Sequence, residues 1–315
     1  MKRILRLGTR GSKLALRQAE MVRGMLTSIH PGLVVETVPI KTRGDEIRDQ
    51  ALAPFGGKGL FVKEIEEALL KGQIDLAVHS MKDLPSELPD GLIIGAVPLR
   101  EDPRDVFISR TGLREVGAIH ELPLLPQGAK VGTSSLRRRA QLLFLRPDLI
   151  VLPLRGNLDT RLRKLREGQF EGIVVASAGL KRMGWEDSAT QYLPVEEFVP
   201  AIGQGALGVE IRAADEETAK LISPLNHEDS YLTVMAERAF SRRLGGGCQV
   251  PVAATGQIAD ETMTLIGLII SLDGRRMAKG TITGPPKDAT SLGKELAEKL
   301  LKEGGEEIIE SFART

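Results

Sequence analysis

Short β-rich runs alternate with amphipathic helices along the first two thirds of the chain, and polar residues gather where strands give way to helices. Apolar runs at 4–8, 33–40, 74–78 and 92–97 read as strands. Ser12 caps a helix that reaches about Ser28, with Leu14, Leu16, Ala19, Val22 and Leu26 at its apolar positions. A second helix puts Phe61, Ile65, Ala68 and Leu69 on one face. This rhythm predicts a mainly parallel α/β sheet. A second set follows, with strands near 106–109, 130–133, 149–152 and 173–176, and helices near 136–145 and 158–167. Two segments suit chain crossings between domains: the charged stretch 100–105 with Pro103, and 198–205 with Pro200, Gly203 and Gly205. A strand at 206–212 comes after the second.

The pattern changes near Asp215. Helices near 215–223 and 229–243 precede Gly245-Gly246-Gly247-Cys248. Three strands near 250–258, 262–271 and 275–283 and a helix at 288–303 then predict a small α+β domain with an antiparallel sheet. A length of 315 residues accommodates two or three such domains.

The charge balance is near zero, with 43 Lys+Arg against 42 Asp+Glu, but it is uneven. Residues 126–182 hold 12 basic and 4 acidic side chains, a net +8, and residues 183–237 hold 2 and 11, a net −9. A neutral total with one basic stretch favours a local anion site over a charged whole. One Cys excludes an internal disulfide and a thiolate metal cluster, and four His leave little for a metal site. The N-terminus lacks the apolar stretch of a signal peptide, and no run of about 18 apolar residues exists. Both point to the cytoplasm and to no membrane association.

Five strand-to-helix junctions carry a cation beside small or hydroxyl residues. They are Thr9-Arg10-Gly11-Ser12, His79-Ser80-Met81-Lys82-Asp83, Thr133-Ser134-Ser135-Leu136-Arg137-Arg138, Arg155-Gly156-Asn157 and Ser177 to Arg182. Ligands of open α/β sheets bind outside the carboxyl ends of strands, where helix N-termini offer free N–H donors. Arg outnumbers Lys 27 to 16, and its planar fork matches carboxylates. The junctions therefore predict a small ligand with several carboxylates or phosphates. Arg137, Arg138 and Arg139 fan over about 200° of helix, so at least one must face away from a shared ligand. His79 reads best as a hydrogen-bonded structural group, Asp83 as a helix cap or a proton-handling carboxylate, and Cys248 as a small buried apolar residue.

Taken together, these segments resemble the porphobilinogen deaminase (hydroxymethylbilane synthase) family. The likeness is carried in order by Leu7 to Leu16, Gly56-Gly57-Lys58-Gly59-Leu60-Phe61, Val78 to Pro85, Gly132 to Arg138, Leu154-Arg155-Gly156-Asn157, Pro200 to Ala206, and Gly246-Gly247-Cys248-Gln249-Val250-Pro251. It implies two α/β domains like type II periplasmic binding proteins flanking a cleft, at 1–100 with 200–222 and at 105–198, and a small C-terminal α+β domain with a three-stranded sheet at 226–315. It further implies a dipyrromethane cofactor in thioether linkage to Cys248. On that primer four porphobilinogen units are deaminated and joined head to tail, and hydroxymethylbilane is released. Asp83 would bind pyrrole N–H groups and offset the cationic azafulvene. Arg10, Lys58, Lys82, Arg137, Arg138, Arg155, Arg161 and Arg182 would hold acetates and propionates, with Ser12, Ser80, Thr133, Ser134, Ser135 and Gln204 as neutral partners. The family resemblance also favours a monomer.

Arg17, Pro54 and Gly245 depart from common family residues, and Pro54 removes one possible cleft cation. Two rival readings share the cationic junctions. One is a non-enzymatic binding protein for a small anion, which in its usual secreted form has a signal peptide. The other is a nucleic-acid binder using the +8 stretch, which the 3% aromatic content disfavours.

Overall fold

A computed structural model describes residues 4–42, 62–111, 125–245 and 251–313. Its first sheet contains β1 (Ile4–Arg10), β2 (Val34–Ile40), β3 (Leu76–Ser80), β4 (Leu92–Ala96) and β10 (Leu207–Arg212), in the order β2-β1-β3-β10-β4. Its second contains β5 (Asp105–Ser109), β6 (Lys130–Gly132), β7 (Ile150–Leu152), β8 (Gly172–Ala176) and β9 (Gln191–Leu193), in the order β7-β6-β8-β5-β9. The two sheets share one plan of three parallel strands, then one reversed strand, then an edge. The expected type II pair of α/β lobes is this doubled plan.

The sheets are mixed rather than mainly parallel, and the crossings explain why. β5 follows the first crossing and β10 the second, so each lobe receives one strand from the direction of the other. Each such strand runs antiparallel to both neighbours. The crossings touch: the Glu101 N–H donates to the Gly205 carbonyl at 3.2 Å. Gly205 has φ +89°, and a Cβ there would run into the Glu101 carbonyl. Only glycine lets the two strands lie so close.

Helices are set by local chemistry and then by burial. In α1 (Lys13–Ile29) the Ser12 side chain accepts from the Ala15 N–H at 3.3 Å. Its buried stripe is Gln18, Ala19, Val22 and Leu26, whereas Leu16 is 37% exposed. The apolar pattern thus misplaces Leu16 and omits Gln18, which turns inward because its amide reaches the Ser80 hydroxyl at 2.9 Å. α2 (Lys63–Leu70) seats Ile65, Ala68 and Leu69 with Ile74, Ala77 and Leu92. In the second lobe, Ser135 caps α3 (Leu136–Leu145), and α4 (Leu158–Arg166) and α5 (Ser177–Met183) follow β7 and β8.

The third unit is the expected antiparallel meander, β11 (Val252–Ala259), β12 (Thr262–Ile270) and β13 (Met277–Gly284). α6 (Glu216–Ile222) returns to the first lobe core through Ile222. α7 (Glu228–Arg243) and α8 (Ala289–Leu300) pack on the meander through Phe240, Leu292, Leu296 and Leu300. The expected single helix to 303 instead bends at Glu303 and Gly304, the latter with φ +98°, and resumes as α9 (Glu306–Ala313). Glu237 of α7 locks this unit to the crossings. It pairs with Arg100 at 2.5 Å and accepts from the N–H groups of Gly203 (2.6 Å) and Gly256 (2.8 Å).

Candidate active site

The second crossing also positions the turn after β3. Met81 to Asp83 form one 3₁₀ turn, and the Met81 N–H donates to the Ala206 carbonyl at 3.0 Å. Met81 is 1% exposed and packs against Gly203 and Gly208. Gly203 has φ +69°, and a Cβ there would lie 2.7 Å from the Met81 Cβ and 3.2 Å from the Lys82 nitrogen. Gly203→Ala is therefore expected to cost about 1 kcal/mol or more of stability and to reduce turnover. A thermal melt and initial rates check this, and parent-like values of both would show the turn tolerates displacement.

With Met81 anchored, Lys82 and Asp83 are left exposed at the strand end. Asp83 is the last residue of the turn and not the cap of a following helix. Lys82 is open to water but stands close to other cations. Desolvation first, then Arg138 and Arg161, push its ammonium down to about 8, against the opposing pull of Asp83 and Asp105. Arg161 is lowered by burial and by Arg138, and Asp83 opposes that shift. Residues from β3, α3 and α4 therefore meet in one electrostatic cluster.

Beneath it lies Asp105, fully buried at the start of β5. Arg137 donates to one carboxylate oxygen at 2.7 Å, and Arg138 donates to the other through Nε (3.0 Å) and Nη2 (2.7 Å). The Gln204 amide adds a bond at 2.9 Å and also reaches the Pro103 carbonyl. These bonds hold the Asp105 carboxyl far below its usual range despite its burial. Arg137 is further fixed by the Val199 carbonyl at 2.7 Å.

The resemblance groups Arg137 and Gln204 with the ligand-binding residues. The structure turns both inward, because two buried cations on one helix end need an anion and a carbonyl beneath them. Arg138 is held inward as well, its Nη1 donating to the Val174 carbonyl at 3.1 Å, and Arg139 is exposed, as the helical fan requires. Asp105 itself was not singled out by the sequence. The available signal was an acidic residue opening the apolar run Val106-Phe107-Ile108.

Around this centre, Ser135 uses its hydroxyl to cap α3, accepting from the Arg138 N–H at 3.4 Å. Its own N–H donates to Thr133 at 3.2 Å, and Ser134 donates to the Leu154 carbonyl. Arg10 and Arg155 are half-buried at the ends of their junctions. Arg161 donates to the Gly156 carbonyl at 2.9 Å. Arg182 donates from Nη2 to the Gly205 carbonyl at 2.6 Å, and its buried Nε has no partner. His79 makes a buried bond to Glu210, as a structural histidine should. Lys58 and Cys248 lie outside the described residues, as does the loop at 56–59.

A family model described as porphobilinogen deaminase, dipyromethane cofactor binding domain, matches residues 5–220. A second, the porphobilinogen deaminase C-terminal domain, matches residues 231–302. The chain belongs to the porphobilinogen deaminase family. It is 54% identical to the porphobilinogen deaminase of Syntrophotalea carbinolica over 97% of this chain and 95% of that one. The Geobacter sulfurreducens enzyme is likewise 54% identical, over 97% and 93%. The Syntrophobacter fumaroxidans enzyme is 49% identical over 99% of both chains. Among solved structures, an ancestral cationic amino acid solute-binding protein shares 14% identity and a TM-score of 0.44, over 70% of this chain and 87% of that one.

The residues present fit the deaminase family's polycarboxylate cofactor. Lys82, Arg161 and Arg182 are all lowered by desolvation, and Arg182 keeps an unpartnered buried N–H. Desolvated cations of this kind are relieved by carboxylates. No group of three or more His, Cys, Asp or Glu suited to a metal occurs among the described residues. No described helix is long and apolar enough to cross a membrane.

Proposed function

We propose that the cluster of Lys82, Asp83, Arg138 and Arg161 is the catalytic centre of a porphobilinogen deaminase. In this reading the enzyme deaminates four porphobilinogen molecules and joins them head to tail, releasing ammonia and hydroxymethylbilane. The observation that carries it is one carboxylate, Asp83, set among cations drawn from two lobes. Acetates and propionates pair with the cations, and the pyrrole ring is left to Asp83. Its carboxylate accepts from the pyrrole N–H while the carbon–nitrogen bond to departing ammonia breaks. The positive charge that spreads into the ring then meets a fixed anion.

Arg10, Arg155, Arg161, Arg182 and Lys58 hold the carboxylates along the cleft in this assignment, and Ser12, Ser80, Thr133, Ser134 and Ser135 supply neutral contacts. Arg137 and Gln204 act one step back, by fixing Asp105 and through it Arg138. The dipyrromethane, when bound, supplies the pyrrole chain to which the units are added, and we assign its attachment to Cys248. The domain division at 1–100 with 200–222, 105–198 and 226–315 belongs to the same reading, supported by β10 pairing within the first sheet. So do a cytoplasmic setting, a monomeric state and a small-molecule substrate without nucleic acid, which rest on the family alone.

Intact mass of the purified protein tests the attachment. The parent should exceed its sequence mass by two pyrrole units, and Cys248→Ser should show the bare mass and no turnover. An active parent at the bare mass would end the covalent assignment.

A further inference from the structure

His79 lies two residues before the turn Met81–Asp83 and sits in a buried ionisable cluster. Its Nε2 lies 2.9 Å from Glu210 Oε2, with side chains 3% and 0% exposed. His79 pairs across the ladder with Gly208, and Glu210 with Ala77, so the bond runs diagonally between β3 and β10 on one face of the sheet. α2 packs over β3 and β10, and Ala77 lies in its apolar seat. α2 also brings Glu66, 6% exposed. Glu66 Oε1 and Glu210 Oε1 are both buried with no hydrogen-bond partner.

Two carboxyl groups and one imidazole thus share a dry place. With both carboxyls ionised the site is anionic whatever the state of His79, and two orphaned oxygens remain. One proton held on a carboxyl lowers the buried charge. Glu66 is the group that takes it, since burial, then the Glu210 charge, raise it to about 7 against the pull of His79. β10 also carries Arg212, paired with Asp215 at 2.6 Å, and α2 also carries Lys63, Glu64 and Glu67. β4 has no ionisable residue, and β1 carries Arg6, paired with Asp75, and Arg10. From α7, Arg238 feels Glu210 and donates to the Pro85 and Ser86 carbonyls, just beyond the turn.

We propose that Glu66, His79 and Glu210 are positioning residues, a proton-sharing unit beneath β3 that fixes the turn presenting Lys82 and Asp83 and loosens it as pH rises through neutrality. The proposal rests on the reading of Asp83 as the catalytic carboxylate. A carboxyl raised from its ordinary 4.5 to about 7 stabilises the fold fully in acid. That stabilisation is lost as pH rises through the folded value. Glu66→Gln keeps the shape of the neutral acid and cannot ionise.

The test follows melting temperature and steady-state kinetics of the holoenzyme and of Glu66→Gln across that pH range. The two melting curves should coincide below the ordinary 4.5, separate as pH rises toward about 7, and keep a constant gap above that, with the variant the more stable. The parent kcat should fall above neutrality by a few-fold that the variant does not show. Glu210→Gln, checked by mass for its cofactor, should lose roughly tenfold in kcat with KM nearly constant. Superposable profiles overturn the proposal. Divergent melting with identical kcat profiles also overturns it, since that would be a purely structural role. Should Asp83→Asn instead prove active, the catalytic reading fails while the melting divergence stands, so the two failures are told apart.

Discussion

Asp83→Asn is expected to leave a folded protein that retains its covalent cofactor and loses turnover by at least about a hundredfold. The substitution keeps size and removes the negative charge. The amide can still accept a hydrogen bond from a pyrrole N–H, so binding should suffer less than kcat. What disappears is the anion facing a ring that becomes cationic as ammonia leaves. Asp83 is exposed at the end of its turn and supports no helix, so its loss should barely move the melting temperature. Mass spectrometry of the variant, a melt and single-turnover kinetics check the three parts separately. Parent-like turnover would remove Asp83 from the chemistry.

Asp105→Asn is expected to act the opposite way, through stability first. Asp105 is fully buried and is the counter-charge to Arg137 and Arg138, whose side chains are 7% and 6% exposed. Removing it leaves two guanidinium groups in a dry place with only carbonyl and amide partners. Breaking a buried ion cluster from one side costs about 3–5 kcal/mol. For a protein of this size that is a melting shift on the order of 10 °C. The stabilisation should hold down to mildly acidic pH. A carboxyl held far below its ordinary 3.8 contributes in full above that value and loses its contribution progressively as pH falls from there toward the low folded value. Arg138 belongs to the proposed catalytic cluster and is held by this hub, so the surviving folded fraction should also have a raised KM. A melt within about 2 °C of the parent would show that the arginines find other partners.

The sequence made local features legible. Ser12 and Ser135 act as caps because a hydroxyl before a helical run needs only the N–H three residues on. Strand positions followed from short apolar runs, and the cationic junctions from residues adjacent in the chain. The meander and its helices were likewise visible as a change of period after Asp215. The bend at Gly304 was not, since the apolar spacing continues across it.

Features that depend on distant partners stayed hidden. Gln18 is buried by Ser80, 62 residues away, although a helical wheel favours Leu16. Arg137 looked like a ligand-binding residue because nothing near it in the chain shows Asp105, 32 residues back. Asp105 in turn is completed by Gln204, 99 residues on. His79, Glu210 and Glu66 come from one strand, a strand beyond the second crossing, and a helix, so no spacing rule joins them.

By itself, then, the sequence determined the elements, the cationic strand ends and the family, since each depends on neighbours in the chain or on ordered motifs. The tertiary structure alone decided which cations face the cleft and which are spent inside. A guanidinium goes where an anion and low solvation balance its cost, and that balance is set by crossings that bring remote carboxylates beneath it.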